Sequence, residues 1–150
     1  MEKRPLLVVL AALGALLAAP PRLAADVLRY DTTDVVLTSG QSFDSRAGAP
    51  NPFTDITLSA QVTAPSGAVY TVDGFFDGNG SGGPAGNVFK LRISPDEEGT
   101  WSWTTASNRA DLNNRSGSFE CSGTLPGVFG DGPIVIDPNR RQVFKYRDGR

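Results

Sequence analysis

Histidine is missing from this 150-residue chain. Its absence removes the side chain that most often serves as general base, proton shuttle or metal ligand near neutral pH. A serine or cysteine nucleophile would lack its usual activating partner. Cys121 stands alone, so no intrachain disulfide can form, and it reads as a small buried strand residue. Basic charge is not in excess either: 14 Lys and Arg face 16 Asp and Glu. A chain without a basic stripe is not expected to bind nucleic acid or an anionic membrane. No zinc-ligand spacing, phosphate-cradling loop or internal repeat occurs, and no helical period persists beyond the first 25 residues.

What is present begins with an export signal. Lys3 and Arg4 precede an apolar run from Leu6 to Ala19, Pro20-Pro21 breaks it, and Leu23-Ala24-Ala25 supplies small residues for cleavage. The run is shorter than the ~20 apolar residues of a spanning helix. Residues 1–25 are therefore expected to be a signal peptide cut after Ala25, giving a secreted or periplasmic product with no membrane attachment. Removing Lys3, Arg4, Arg22 and Glu2 leaves 11 basic and 15 acidic residues, a net charge of −4. The remaining chain of roughly 125 residues is long enough to bury about two-thirds of its unfolded surface without disulfides or metals.

Short alternating runs follow, separated by turn signals. In Asp55 to Thr63, Ile56, Leu58, Ala60 and Val62 share one face while the intervening polar residues share the other, as in a strand wet on one side. Further strands are expected at Val35 to Thr38, Ala68 to Phe76, Val88 to Ile93, Thr100 to Thr105 and Ser118 to Ser122. Ile134 to Ile136 reads as a last strand and Val143 to Tyr146 as an exit strand. Asp77 to Pro84 is rich in glycine and reads as loop. With 17 glycines and 11 prolines as punctuation, the pattern predicts an all-β, antiparallel β-sandwich of about seven to eight strands over residues 26–138. A small barrel is the alternative. Residues 139–150 read as an exit strand and the first arm of a turn, the start of a further domain.

Few residues offer chemistry. Asp96-Glu97-Glu98 could suggest the carboxylate pair of a glycosidase, but that pair must flank a bond at ~5 Å or ~6.5–9.5 Å across a cleft. Three consecutive acids on a tight turn read as a solvated turn, and no catalytic residue is assigned. Asp77, Asn79 and Ser81 match the first half of a calcium loop, but Val88 occupies the position where a bidentate glutamate belongs. They are the candidate metal ligands; otherwise no cofactor is expected. Phe75 and Phe76 are adjacent in a strand and should point to opposite faces. Together with Trp103 they are the candidates for stacking on a sugar or meeting a partner surface. Asn79-Gly80-Ser81 and Asn114-Arg115-Ser116 are glycosylation sequons in a host that uses them.

One ordered set of segments carries a resemblance. Asn51-Pro52-Phe53-Thr54-Asp55 is followed by Pro65-Ser66-Gly67, Asp73-Gly74-Phe75-Phe76-Asp77-Gly78 and Phe89-Lys90-Leu91-Arg92-Ile93-Ser94-Pro95. Gly99-Thr100-Trp101-Ser102-Trp103, Ser116-Gly117-Ser118-Phe119, Pro126-Gly127 and Phe144-Lys145-Tyr146-Arg147-Asp148-Gly149 complete it. This order resembles the N-terminal domain of unknown function found ahead of the (β/α)₈ barrel in secreted bacterial proteins assigned as glycoside hydrolases. The resemblance implies an immunoglobulin-like (fibronectin type III-like) sandwich packed beside a sugar-cleaving barrel, the barrel itself being absent here. The function implied is a non-catalytic accessory domain that supports or orients that barrel. The alternatives are an independent carbohydrate-binding module with polysaccharide as partner, and an immunoglobulin-like spacer or adhesin domain.

Overall fold

The computed structural model describes residues 27–148. The export signal expected over residues 1–25 lies outside the described residues. The described chain is all-β. Its strands are β1 (Val27–Arg29), β2 (Thr33–Asp44), β3 (Leu58–Thr63), β4 (Val69–Gly78), β5 (Ala85–Ile93), β6 (Gly99–Ser107), β7 (Ser116–Thr124), β8 (Ile134–Asp137) and β9 (Arg140–Tyr146). A 3₁₀ turn at Gly127–Asp131 is the helical segment among the described residues.

Seven strands form one sheet in the order β1-β7-β6-β3-β4-β5-β2, nearly closed into a barrel, and β8 pairs with β9 in a separate ribbon. β1 runs parallel to β7, and every other pairing is antiparallel. The sheet turns at β4. Residues Val69 to Asp73 pair with β3, whereas Gly74 to Gly78 pair with β5. Gly74 stands at the changeover, where an added Cβ would come within 2.5 Å of the Leu58 side chain. A side chain at that position would collide with the core.

The alternation read from sequence sets the core. Leu58, Ala60 and Val62 of β3 are buried, as are Phe89, Leu91 and Ile93 of β5 and Trp101 and Trp103 of β6. They join Val35, Leu37, Phe43, Phe119 and Cys121 in one cluster. Each large apolar side chain removed from water contributes about 1.5–3 kcal/mol. Aromatic rings gather at opposite ends of β4. Around Phe76, the rings of Phe43, Phe53 and Phe89 lie at centroid distances of 6.3, 5.7 and 5.2 Å. Around Tyr70, Trp101 and then Phe119 follow, each step 6.2 Å.

Several expected boundaries move, for local reasons. β3 begins at Leu58 and not at Asp55, because Asn51 and Asp55 close a turn. The Asp55 amide donates to the Asn51 carbonyl at 2.8 Å, and the Asn51 amide donates to Asp55 Oδ2 at 2.7 Å. β4 continues through Asp77 and Gly78, two residues expected in the loop, since Gly78 still pairs with Val88. β2 extends to Asp44 past an irregularity between Thr38 and Phe43, where Asp111 accepts from Ser39 Oγ and the Gly40 amide at 2.6 and 2.8 Å. β8 and β9 pair with each other across Pro138-Asn139, so the boundary suggested at 138/139 falls inside a hairpin turn.

Candidate functional site

The residues singled out from sequence do not converge. Phe76 and Trp103 are only 5% and 8% exposed, one in the phenylalanine cluster and the other with its ring over Gly117. Neither offers a free face to a sugar. The period-two rule correctly separates Phe75 from Phe76, but Phe75 is half-buried on the outer face with the Arg92 guanidinium 5.5 Å above its ring. Two of the three candidate calcium ligands, Asp77 and Asn79, are otherwise engaged. Asp77 pairs with Lys90 Nζ at 2.6 Å. Asn79 Oδ1 accepts the Ser81 and Gly83 amides at 3.0 and 3.1 Å, which organises the loop from within. Ser81 is exposed on that loop.

The consecutive acids diverge, as a tight turn requires. Asp96 Oδ2 accepts from Arg147 at 2.7 Å, and Glu97 accepts from the Ser66 hydroxyl and amide at 2.8 and 3.0 Å. Glu98 is exposed. No group of three or more carboxylate or thiol side chains placed to hold a metal ion occurs among the described residues.

A groove of about 600 Å³ lies instead at the Tyr70 end of the core. Its floor is apolar: Val62 of β3, Val72 of β4 and Ile93 of β5. Tyr70 and Trp101 line the groove together with Phe129, Gly132 and Pro133. Tyr70 is backed by Trp101, whose ring plane is 25° from its own, yet remains 43% exposed. Trp101 is in turn held by its indole N–H, which donates to the Glu97 carbonyl at 3.0 Å. Phe129, on the 3₁₀ turn, is 72% exposed.

The charged groups that line the groove, Arg92, Asp96 and Arg147, are in ion pairs, as is Arg29, the chain neighbour of the lining residue Tyr30. Arg92 grips Asp34 through Nε and Nη2, both at 2.8 Å, and this hydrogen bonding holds the Asp34 carboxyl below its ordinary value. Arg147 pairs with Asp96. Arg29 Nη2 reaches Asp148 Oδ2 at 2.6 Å, and the Tyr30 hydroxyl donates to Asp148 Oδ1 at 3.0 Å. Burial, reinforced by that carboxylate, pushes the Tyr30 phenol up. Gly132, at φ 79°, lets the chain pass the Tyr30 ring, which an added Cβ would meet at 2.7 Å.

Neither Tyr70 nor Phe129 was singled out in the sequence. Tyr70 reads there as an ordinary strand residue beside a turn. A weak signal for Phe129 is an aromatic in a glycine-flanked loop, Gly127-Val128-Phe129-Gly130.

The β8–β9 ribbon presents a second surface. Ile134 faces Tyr146 and Ile136 faces Phe144, so these four side chains share one side. Ile134, Ile136 and Phe144 are largely exposed, Phe144 at 72%. Neither strand pairs with the seven-stranded sheet. The ribbon is tied down at its base, where the Arg147 and Asp148 amides donate to the Pro133 and Asp131 carbonyls at 3.0 and 3.1 Å.

Comparison with known proteins gives a family and a neighbour. The family model described as a domain of unknown function, DUF5060, matches residues 26–108, just over half of the chain. No curated protein matches. Among solved structures, a putative glycoside hydrolase from Bacteroides vulgatus is similar at 30% identity with a TM-score of 0.60. The match covers 83% of this chain but 20% of that protein, so the chain spans about a fifth of the neighbour's length.

Proposed function

The chain belongs to the DUF5060 family of domains of unknown function, and on that premise we propose that it is an exported, non-catalytic accessory domain of a glycoside hydrolase. Its task is to support or orient a catalytic barrel. The observation that carries this reading is the apolar side of the β8–β9 ribbon, with Ile134, Ile136 and Phe144 turned to water. A two-stranded ribbon has little stability of its own, and contiguous exposed apolar side chains mark a contact surface. Similarity to one-fifth of a putative glycoside hydrolase supports the same view. So does a chemistry inventory without histidine, in which the neighbouring acids Asp96 and Glu97 serve turns and ion pairs.

The fold is best read as an immunoglobulin-like sandwich whose two layers share β4. A strand that changes layer partway along its length gives one continuous hydrogen-bonded sheet around a two-sided core. The export signal read in the sequence of residues 1–25 supports a location outside the cytoplasm.

Two measurements test the proposal. The DNA following the Arg150 codon should encode a barrel, and unrelated genes there would count heavily against the reading. Purified chain offered a broad set of chromogenic glycosides should release nothing above buffer; turnover that survives repeated purification would refute the non-catalytic assignment.

A further inference from the structure

We propose that the groove at the Tyr70 end of the core is a binding site for an uncharged saccharide, with Tyr70 and Phe129 as stacking walls and the Asp96–Arg147 pair as the hydrogen-bonding group. Size is the first argument. About 600 Å³ lies within the ~300–1,000 Å³ range in which proteins enclose small ligands.

The walls are the second. A pyranose ring carries one face of C–H groups that packs on an aromatic face, and Tyr70 is held ready for such a contact. Trp101 supports it from behind and is itself fixed by the Glu97 carbonyl. A ring already immobilised gives up little entropy on binding.

The charge pattern selects the ligand. Arg92, Arg147 and Arg29 are each matched by a carboxylate, Asp34, Asp96 and Asp148. A phosphate or uronate would find no uncompensated cation. A purely apolar ligand would cover these polar groups without replacing their water. Hydroxyls suit them. Asp96 Oδ2 is taken by Arg147, which leaves Oδ1 to accept from one hydroxyl while the guanidinium's other N–H groups donate to its neighbour. Val62, Val72 and Ile93 beneath meet the carbon skeleton.

The test is calorimetric titration of the purified chain with neutral cello-, xylo-, manno- and chito-oligosaccharides, with an oligouronate as the charged probe. At least one neutral oligosaccharide should bind at sub-millimolar to millimolar concentration and perturb tryptophan fluorescence, because Trp101 lies directly behind Tyr70. Tyr70→Ala and Phe129→Ala should each weaken binding at least tenfold, whereas Tyr70→Phe and Phe75→Ala should leave it unchanged. Phe129 is exposed, so its variant retains the fold even if Tyr70→Ala lowers the melting temperature. Absence of binding across the neutral panel, tighter binding of the oligouronate, or affinity indifferent to both rings would each overturn the proposal. Phe144→Ser should leave sugar affinity intact, which keeps this result separate from the docking role of the ribbon.

Discussion

Arg147 and Asp96, 51 residues apart, meet at 2.7 Å and join the base of the β8–β9 ribbon to the turn between β5 and β6. Both side chains are partly exposed, and such pairs contribute ~0.2–1 kcal/mol to global stability. Asp96→Asn should therefore lower the melting temperature only slightly. Its effect should appear locally, as faster hydrogen exchange at the Arg147 and Asp148 amides, because their bonds to Pro133 and Asp131 lose the side-chain tie beside them. Unchanged exchange there would show that the backbone bonds alone hold the ribbon.

Asp111 should govern part of the acid limb of stability. The Ser39 hydroxyl, the Gly40 amide and Arg109 hold its carboxyl down to about 2 from an ordinary 3.8, against an opposing effect of desolvation. A depressed native pKa contributes stability that is complete above the unfolded value and lost as pH falls through the folded one. Stability should thus decline between about pH 4 and pH 2 on this account. Asp111→Asn should flatten that portion of the curve, and Ser39→Ala should raise the Asp111 pKa in a carboxyl NMR titration.

Two substitutions at β6 and β7 should cost stability by opposite routes. Trp101→Ala empties a buried site and should destabilise by ~3–5 kcal/mol in urea unfolding. Gly117→Ala adds a methyl group that would approach the Trp103 ring to 2.5 Å. Overpacking of this kind costs ~1–3 kcal/mol. A Gly117→Ala protein with an unaltered melting curve would mean that the Trp103 ring moves aside freely.

Cys121 should be inert in the native state. Its side chain is 1% exposed, and burial, the largest influence on it, pushes the thiol up. Thiolate is the reactive form, so a disulfide reagent should report no free thiol until urea unfolds the chain, and then one. Stoichiometric reaction without urea would reveal native opening of β7 against β1, its parallel partner at Val27.

The strands were legible because each carries its own period. Leu58-Ala60-Val62 and Phe89-Leu91-Ile93 declare a wet and a dry face within six residues, and both are buried as read. Trp101 and Trp103 sharing the core face follows from the same rule. Boundaries were less legible, since side chains far along the chain set them. Asp111 shapes the irregular middle of β2 from 72 residues away, and Asp77 stays in β4 while paired to Lys90 of β5. The groove was not legible at all. Tyr70, Phe129 and Arg147 belong to three separate segments, a strand, a 3₁₀ turn and the end of the ribbon, that only the tertiary fold brings to one groove. Phe76 and Trp103 showed the converse: an aromatic in a strand declares its face, but not whether another layer covers that face.

The division of β4 between two neighbours has a mechanical consequence. Neither half of the domain can loosen alone, because the same ten-residue strand closes both. A cut between Asp73 and Gly74 would sever the seam and release both halves together. A cut at Gly82, in the open loop between β4 and β5, would leave every rung of the ladder standing.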